Sequence, residues 1–293
     1  MKKYVLLLTL LFLIVVSIFL FKDSQKNYTS SKTVACSPDA VSRLFLSTEN
    51  WSKWLPGKKV NDSTYEIYGN NYRIEKVLLN GFHALQDEGA AIDFSFTPAV
   101  KNETQLNVSI SNWEEKNILS KAWNLITKKD QRTADKLLND ISSFFAETKN
   151  VYGIDIIKGR VEHIYWVSTQ KDFDHLPNTE ETYKIIDTLE KFLAAEQLAP
   201  LGQPILHIRP LDEKSFQLMT ALPVERPIQP TDLFRNKSMA PGFLLKADVK
   251  GGLSSIEASE REMENYARDN HKQSPAIPYQ LLVTDRRKEA DTT

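Results

Sequence analysis

Tyr165, Trp166, Tyr183, Tyr266 and Tyr279 are the side chains of this sequence best suited to hold a guest molecule. An aromatic ring offers a flat apolar face that also attracts a cation. These five form the candidate ligand-binding set, although residues of these types also fill cores and sit at surfaces. No other group of residues supplies a catalytic motif. His83, His163, His175, His207 and His271 are scattered, and no two have the spacing of a helical metal site. Asp172, Asp174 and His175 are of metal-ligating type, but so short a cluster reads better as a solvated turn. Gly251 and Gly252 before a helix are compatible with an anion cradle, and a strand-to-helix turn accounts for them more simply. The acidic pairs Glu180/Glu181 and Asp212/Glu213 sit where helix starts and turns favour acids. A nucleophile elbow, a phosphate loop and a dinucleotide fingerprint are all missing from the sequence. The expectation is therefore no assignable catalytic residue, no metal and no cofactor.

The elements that must position the aromatic set look like one unit written twice between Arg160 and Asp285. The first copy reads as a strand at 161–168, an amphipathic helix at 179–197, and strands at 204–209 and 215–222. Asn178 and Glu181 suit a capping box, and Ile185, Ile186, Leu189, Phe192 and Leu193 line one helix face. The second copy restarts with a strand at 243–250, a helix at 255–270 capped by Ser254 with Glu257, and an extended run at 276–284. Two such copies packed back to back bury their helices on one side of a joined sheet. A cleft for a small molecule is left on the other side.

At 293 residues the chain suits two domains, and 41% hydrophobic content describes a folded chain. A net charge of −1 argues against a nucleic-acid partner, which needs a basic excess. Cys36 is the single cysteine, so an intrachain disulfide and a cysteine-rich zinc site are both excluded. Residues 4–21 are uncharged and mostly apolar, between Lys2, Lys3 and Lys22. As a helix they span about 27 Å, close to the ~30 Å hydrocarbon core. A transmembrane anchor at 1–22 is expected; a cleavable signal is the competing reading, but no small-residue cleavage site follows Phe21. The flanking lysines favour a cytoplasmic N-terminus, with both domains outside in a single-pass arrangement. Residues 23–31 read as a tether.

Residues 32–152 form the first domain. A strand at 32–36 leads into a helix with Ser37 as cap and Pro38 at its first position. Val41, Leu44 and Phe45 then recur at helical spacing. Alternation takes over at Tyr65 and Ile67, and again at Ile92, Phe94, Phe96 and at Leu106, Val108, Ile110. A closing helix carries Ala134, Leu137, Leu138, Ile141, Phe144 and Phe145 on one stripe. This order, with the stretch from Ala35 to Val41 running into Trp51, Trp54, Pro56 and Gly57, resembles the polyketide cyclase-like members of the SRPBCC or START-like family. The resemblance implies a helix-grip fold whose sheet wraps the last helix around an apolar cavity for lipids or polyketides. Phe94, Phe96, Trp113 and Trp123 are candidates to line it, against the plainer reading that they fill the core.

Residues 153–293 form the second domain and are acidic, with a net charge of −4 against +3 before Gly153. The residues at 162–167, the helix start at Pro177, Asn178 and Thr179, the run Phe216 to Pro223, Ala247 to Gly252 and Pro275 to Pro278 together resemble the GyrI-like small-molecule-binding domain, also called the AraC effector-binding domain. That resemblance implies a central cleft for hydrophobic, often cationic ligands, with a hydrolase using a Tyr and Glu pair in some members. The sequence departs from the pattern after Asp285, where the final aromatic strand is missing; a partner covering the open sheet edge is one way to complete it. The overall expectation is an α+β chain, helix-grip domain followed by a duplicated β-α-β-β domain. Its function is read as membrane-anchored capture of a small hydrophobic or cationic ligand, and the alternatives are hydrolysis in the same cleft or lipid binding by the first domain.

Overall fold

The computed structural model describes residues 26–86, 89–112, 128–274 and 277–289. The predicted span at 1–22, Trp113, Trp123 and Pro275 lie outside them. Among the described residues no helix is long and apolar enough to cross a membrane. The chain divides into two compact units between Ile154 and Asp155, and the first unit also takes Glu264–Lys272.

The first unit runs β1 (Lys26–Val34), α1 (Pro38–Leu46), α2 (Trp51–Trp54), β2 (Lys58–Lys59), β3 (Thr64–Ile67), β4 (Asn70–Leu78), β5 (Gly81–Gln86), β6 (Ala90–Pro98), β7 (Thr104–Asn112), α3 (Lys129–Ala146) and α4 (Thr148–Tyr152). Its strands form one antiparallel sheet in the order β1-β7-β6-β5-β4-β3-β2. Residues 26–31, expected as tether, belong instead to β1, which pairs with β7 from Lys26 opposite Asn112 to Val34 opposite Thr104. Tyr28, Thr29 and Thr33 suit a pleat, and an edge strand tolerates the serines and lysines between them. Ser37 caps α1 by accepting the Asp39 amide at 3.2 Å. Tyr68 and Gly69 both take positive φ, at 51° and 81°, the conformation a tight hairpin between β3 and β4 requires.

Period-two alternation sends Ile92, Phe94, Phe96, Leu106, Val108 and Ile110 to one buried face. Against it α3 lays Ala134, Leu137, Leu138, Ile141 and Phe145, packing across β1 and β7. This is the layout the helix-grip resemblance implies. Phe45, Trp51, Trp54, Phe82 and Phe94 fill the interior, with neighbouring ring centroids from 5.1 Å to 6.5 Å apart. The plainer reading of Phe94 and Phe96 as core side chains describes them here.

The second unit runs β8 (Ile156–Arg160), β9 (Tyr165–Phe173), α5 (Thr179–Ala195), β10 (Ile205–Pro210), β11 (Phe216–Val224), β12 (Arg235–Ser238), β13 (Phe243–Ala247), α6 (Leu253–Asp269) and β14 (Gln280–Leu281), with the end of α6 counted in the first unit. The expected strand at 161–168 is corrected: Glu162, His163 and Ile164 lie between two separate strands. There the Val161 amide bonds Gly242 and the Ile164 carbonyl accepts Met239. β12-β9-β11-β10-β14 make one five-stranded sheet, while β13 pairs with β8 in a ribbon of its own. The first strand of the second copy thus joins β8 and not the larger sheet. The extended run expected at 276–284 contributes only the two-residue β14, opposite Ile205 and Leu206. Ser254 lies inside α6, so it cannot be the cap; the first helical amides, Ser255 and Ile256, return to the Gly252 carbonyl.

Candidate functional site

The five-stranded sheet has two faces of different character, because side chains alternate along each strand. On one face Val167, Leu222 and Val224 pack with Leu189, Leu193, Ile228 and Phe234. Phe173, Leu206, Leu218 and Leu282 pack there with Tyr183 and Ile186. α5 closes this face. It is held in place by its predicted capping box: the Glu181 amide donates to Asn178 Oδ1 at 2.9 Å and the Asn178 amide to Glu181 Oε2 at 3.0 Å. On the opposite face Trp166, Ile205 and Ala221 form a small buried cluster with Met239 packed against it. Register places Met219 opposite His207 and Ile205 opposite Leu281 on this side. Farther along, Arg209 donates to Gln217 at 3.0 Å and Gln217 to Asp172 at 2.8 Å, so the face runs from an apolar floor to a polar row ending in a carboxylate.

Of the two predicted ligand residues that lie in the strands of this sheet, Trp166 is on that face. Its indole N–H donates to the His163 carbonyl at 2.9 Å, so the ring is buried with its one polar atom satisfied. Tyr165, its neighbour on β9, points to the other side of the pleat and is exposed at the strand start. Tyr183 belongs to the core under α5; its hydroxyl donates to the Thr284 carbonyl at 3.0 Å and accepts the Arg286 amide at 2.9 Å. The Tyr183 ring already carries a cation, the Arg287 guanidinium at 4.6 Å. Tyr266 lies in the first unit, its ring 5.2 Å from that of Tyr152. Tyr279 is exposed just before β14. The sequence reading missed Met219, Met239, Ile205, His207 and Ala221. Strand parity could have found four of them once β10 and β11 were drawn, but Met239 follows β12, whose sequence has no alternating apolar signal.

The Asp174 and His175 cluster is a turn that docks on the start of α5. His175 Nδ1 lies 2.7 Å from Asp174 and Nε2 lies 3.0 Å from Glu181. The hydrogen bonds to Asp174 and then to Glu181 raise the imidazole pKa, and the bond accepted from His175 lowers that of Asp174. No metal-binding group of three ligands occurs among the described residues.

A second polar centre, unforeseen from the sequence, lies in the first unit. Asp269 is 3% exposed and receives Arg43 Nε at 3.1 Å, Arg43 Nη2 at 3.0 Å and the Tyr152 hydroxyl at 3.0 Å. Burial first, then the Asp269 charge, raises the Tyr152 pKa. Burial likewise pushes the Cys36 thiol up to about 12, with Asp269 adding to it. One signal was available: an aspartate at the last residue of a helix opposes the macrodipole, so it calls for a cation from elsewhere.

No family model matches the chain, and no curated protein matches it. Among solved structures the chain is similar to the di-domain ARO/CYC BexL from the BE-7585A biosynthetic pathway, at 10% identity over 68% of this chain and 85% of that one, with a TM-score of 0.34. It is also similar to an uncharacterized protein from Bacillus thuringiensis (13% identity, 42% and 100% covered, TM-score 0.32). The Aha1 dimer from Colwellia psychrerythraea is a third (17% identity, 38% and 96% covered, TM-score 0.27). Likenesses this faint carry no argument about activity.

Proposed function

We propose that this chain captures a small apolar or cationic molecule on the face of the second unit's sheet opposite α5. The observation that supports this is the asymmetry of the two faces. One is sealed by a helix, while the other carries only the small buried cluster of Trp166, Ile205 and Ala221, with Met239 packed against it and half-buried Met219 and His207 at its edge. Methionines can shift to admit a guest, and the Trp166 beneath them has no unmet donor. Asp172, at the end of the polar row, supplies the charge a cation would seek. The resemblance to the GyrI-like domain points the same way, and residues 4–21 would hold the chain at a membrane as a single-pass anchor. Hydrolysis has less support, since the Tyr183 hydroxyl is engaged by main chain.

The test is a titration of the full-length protein with a cationic phenanthridinium dye and with a medium-chain fatty acid, followed by the unfolding midpoint and by dye fluorescence. Binding by the wild type should weaken about tenfold in Met219→Ser combined with Met239→Ser, equivalent to ~1.4 kcal/mol. The midpoint of the free protein should move little, because both side chains are half-buried. Failure of both probes to bind, or equal binding by wild type and variant, would remove the proposal.

A further inference from the structure

We infer that Glu264–Lys272 is a detachable latch on the first unit, seated by Asp269 in a socket formed by Arg43, Tyr152 and Ser37. The socket is built from separate parts of that unit. Arg43 comes from the last turn of α1 and Tyr152 from the end of α4, while the Ser37 hydroxyl, at the α1 cap, donates to the Asp269 carbonyl. Ser37 and Asp269 are 232 positions apart, so the seat is a contact distant in sequence.

The chemistry of its attachment is what makes it detachable. Around the buried ion pair, Asn102 donates to Asn270 at 3.4 Å, His271 lies 3.4 Å from Asp39, and the Tyr266 ring meets Tyr152 edge-on. From Leu253 to Asp269 the only fully buried residues are Ser259 and Asp269, both polar. Hydrogen bonds and ion pairs given up on release are replaced by bonds to water, whereas an apolar stripe has no such replacement. Elements held in this way belong to the part of a structure that opens below global unfolding. Release would expose Arg43, Tyr152 and the Cys36 thiol. In the closed form Cys36 is buried, 7% exposed as a residue, and its thiol is held protonated, hence unreactive.

Because Cys36 is the single cysteine, it reports directly on the latch. The experiment labels full-length protein at pH 8 with dithiodipyridine and follows hydrogen exchange of the α3 amides as the clock for unfolding of the first unit. Wild-type labelling should outrun exchange of the slowest α3 amides, and Asp269→Ala should accelerate it about tenfold while α3 exchange stays nearly unchanged. Since Asp269→Ala removes the carboxylate that Arg43 and Tyr152 hold and could unfold the unit, Tyr266→Ala serves as a second variant that removes only a ring contact. It should accelerate labelling several-fold, again without a change in α3. Labelling that keeps step with α3 exchange in the wild type and in both variants would overturn the latch, because the segment would then leave only when the whole unit unfolds.

Discussion

α5 and α6 are both 17 residues long and occupy corresponding places in the two sequence copies, yet they are held by different means. α5 buries Thr182, Tyr183, Ile186, Leu189 and Leu193 against the sheet. α6 buries Ser259 and Asp269. Both sequences are amphipathic, so periodicity alone gives them the same reading. The difference lies in their partners. α5 faces a five-stranded sheet whose inward positions are Val167, Leu206, Leu218, Leu222 and Val224. The strand that would give α6 an equivalent surface, β13, is instead in a two-stranded ribbon with β8. A helical stripe therefore predicts a helix, while burial of that stripe depends on a sheet the helix does not itself encode.

The comparison can be tested by substitution, taking the largest expected effect first. Leu189→Ala removes a fully buried side chain from the α5 seam and should cost about 2–5 kcal/mol, read as a lowered denaturation midpoint. Met263→Ser, on the partly buried side of α6, should change stability by no more than about 0.5 kcal/mol. A loss at Met263 comparable to that at Leu189 would show that the two helices are held alike and would break the contrast. The finest probe is His175→Gln, which cuts the ion cluster at the start of α5. His175 is raised by Asp174 and Glu181, so its contribution is present below the ordinary histidine pKa and fades as pH rises through the raised value. Asp174 and Glu181 are lowered, so theirs is present above the ordinary carboxylate range and fades as pH falls through the lowered values. The difference between wild type and variant should be greatest between the ordinary carboxylate and histidine pKa ranges and shrink as pH rises through the raised histidine value. A difference independent of pH would mean that the cluster acts by shape and not by charge.

Much of the architecture was legible because it is local. The alternation at Ile92, Phe94 and Phe96, the cap at Ser37, the capping box at Asn178 and the stripe from Ala134 to Phe145 each state their element within a few residues. What escaped was set by partners distant in sequence. β1 pairs with β7 along all of its described residues, Lys26 to Val34, and its serines and lysines alone give no such sign. β12 is four exposed residues defined only by pairing with β9. The break between β8 and β9 spans Val161 to Ile164, where apolar and polar residues mix as they would in a strand. At the candidate site, aromatic type led to Tyr165, Tyr183, Tyr266 and Tyr279. Pleat parity turns Tyr165 away and the helix-side core takes Tyr183, while Tyr266 belongs to the first unit and Tyr279 is exposed before β14, leaving Trp166 beside methionines that type alone does not single out.

Methionine methyl resonances provide the most direct test of the proposed capture. The chain has four methionines, of which Met219 and Met239 line the proposed face, while Met263 and Met1 lie elsewhere in the sequence. With carbon-13 methyl labels on the full-length protein and the phenanthridinium dye as titrant, the Met219 and Met239 signals should shift together and saturate together. Met263 should stay in place. Shifts confined to Met263, or no saturable shift at Met219 and Met239, would contradict binding on the sheet face opposite α5.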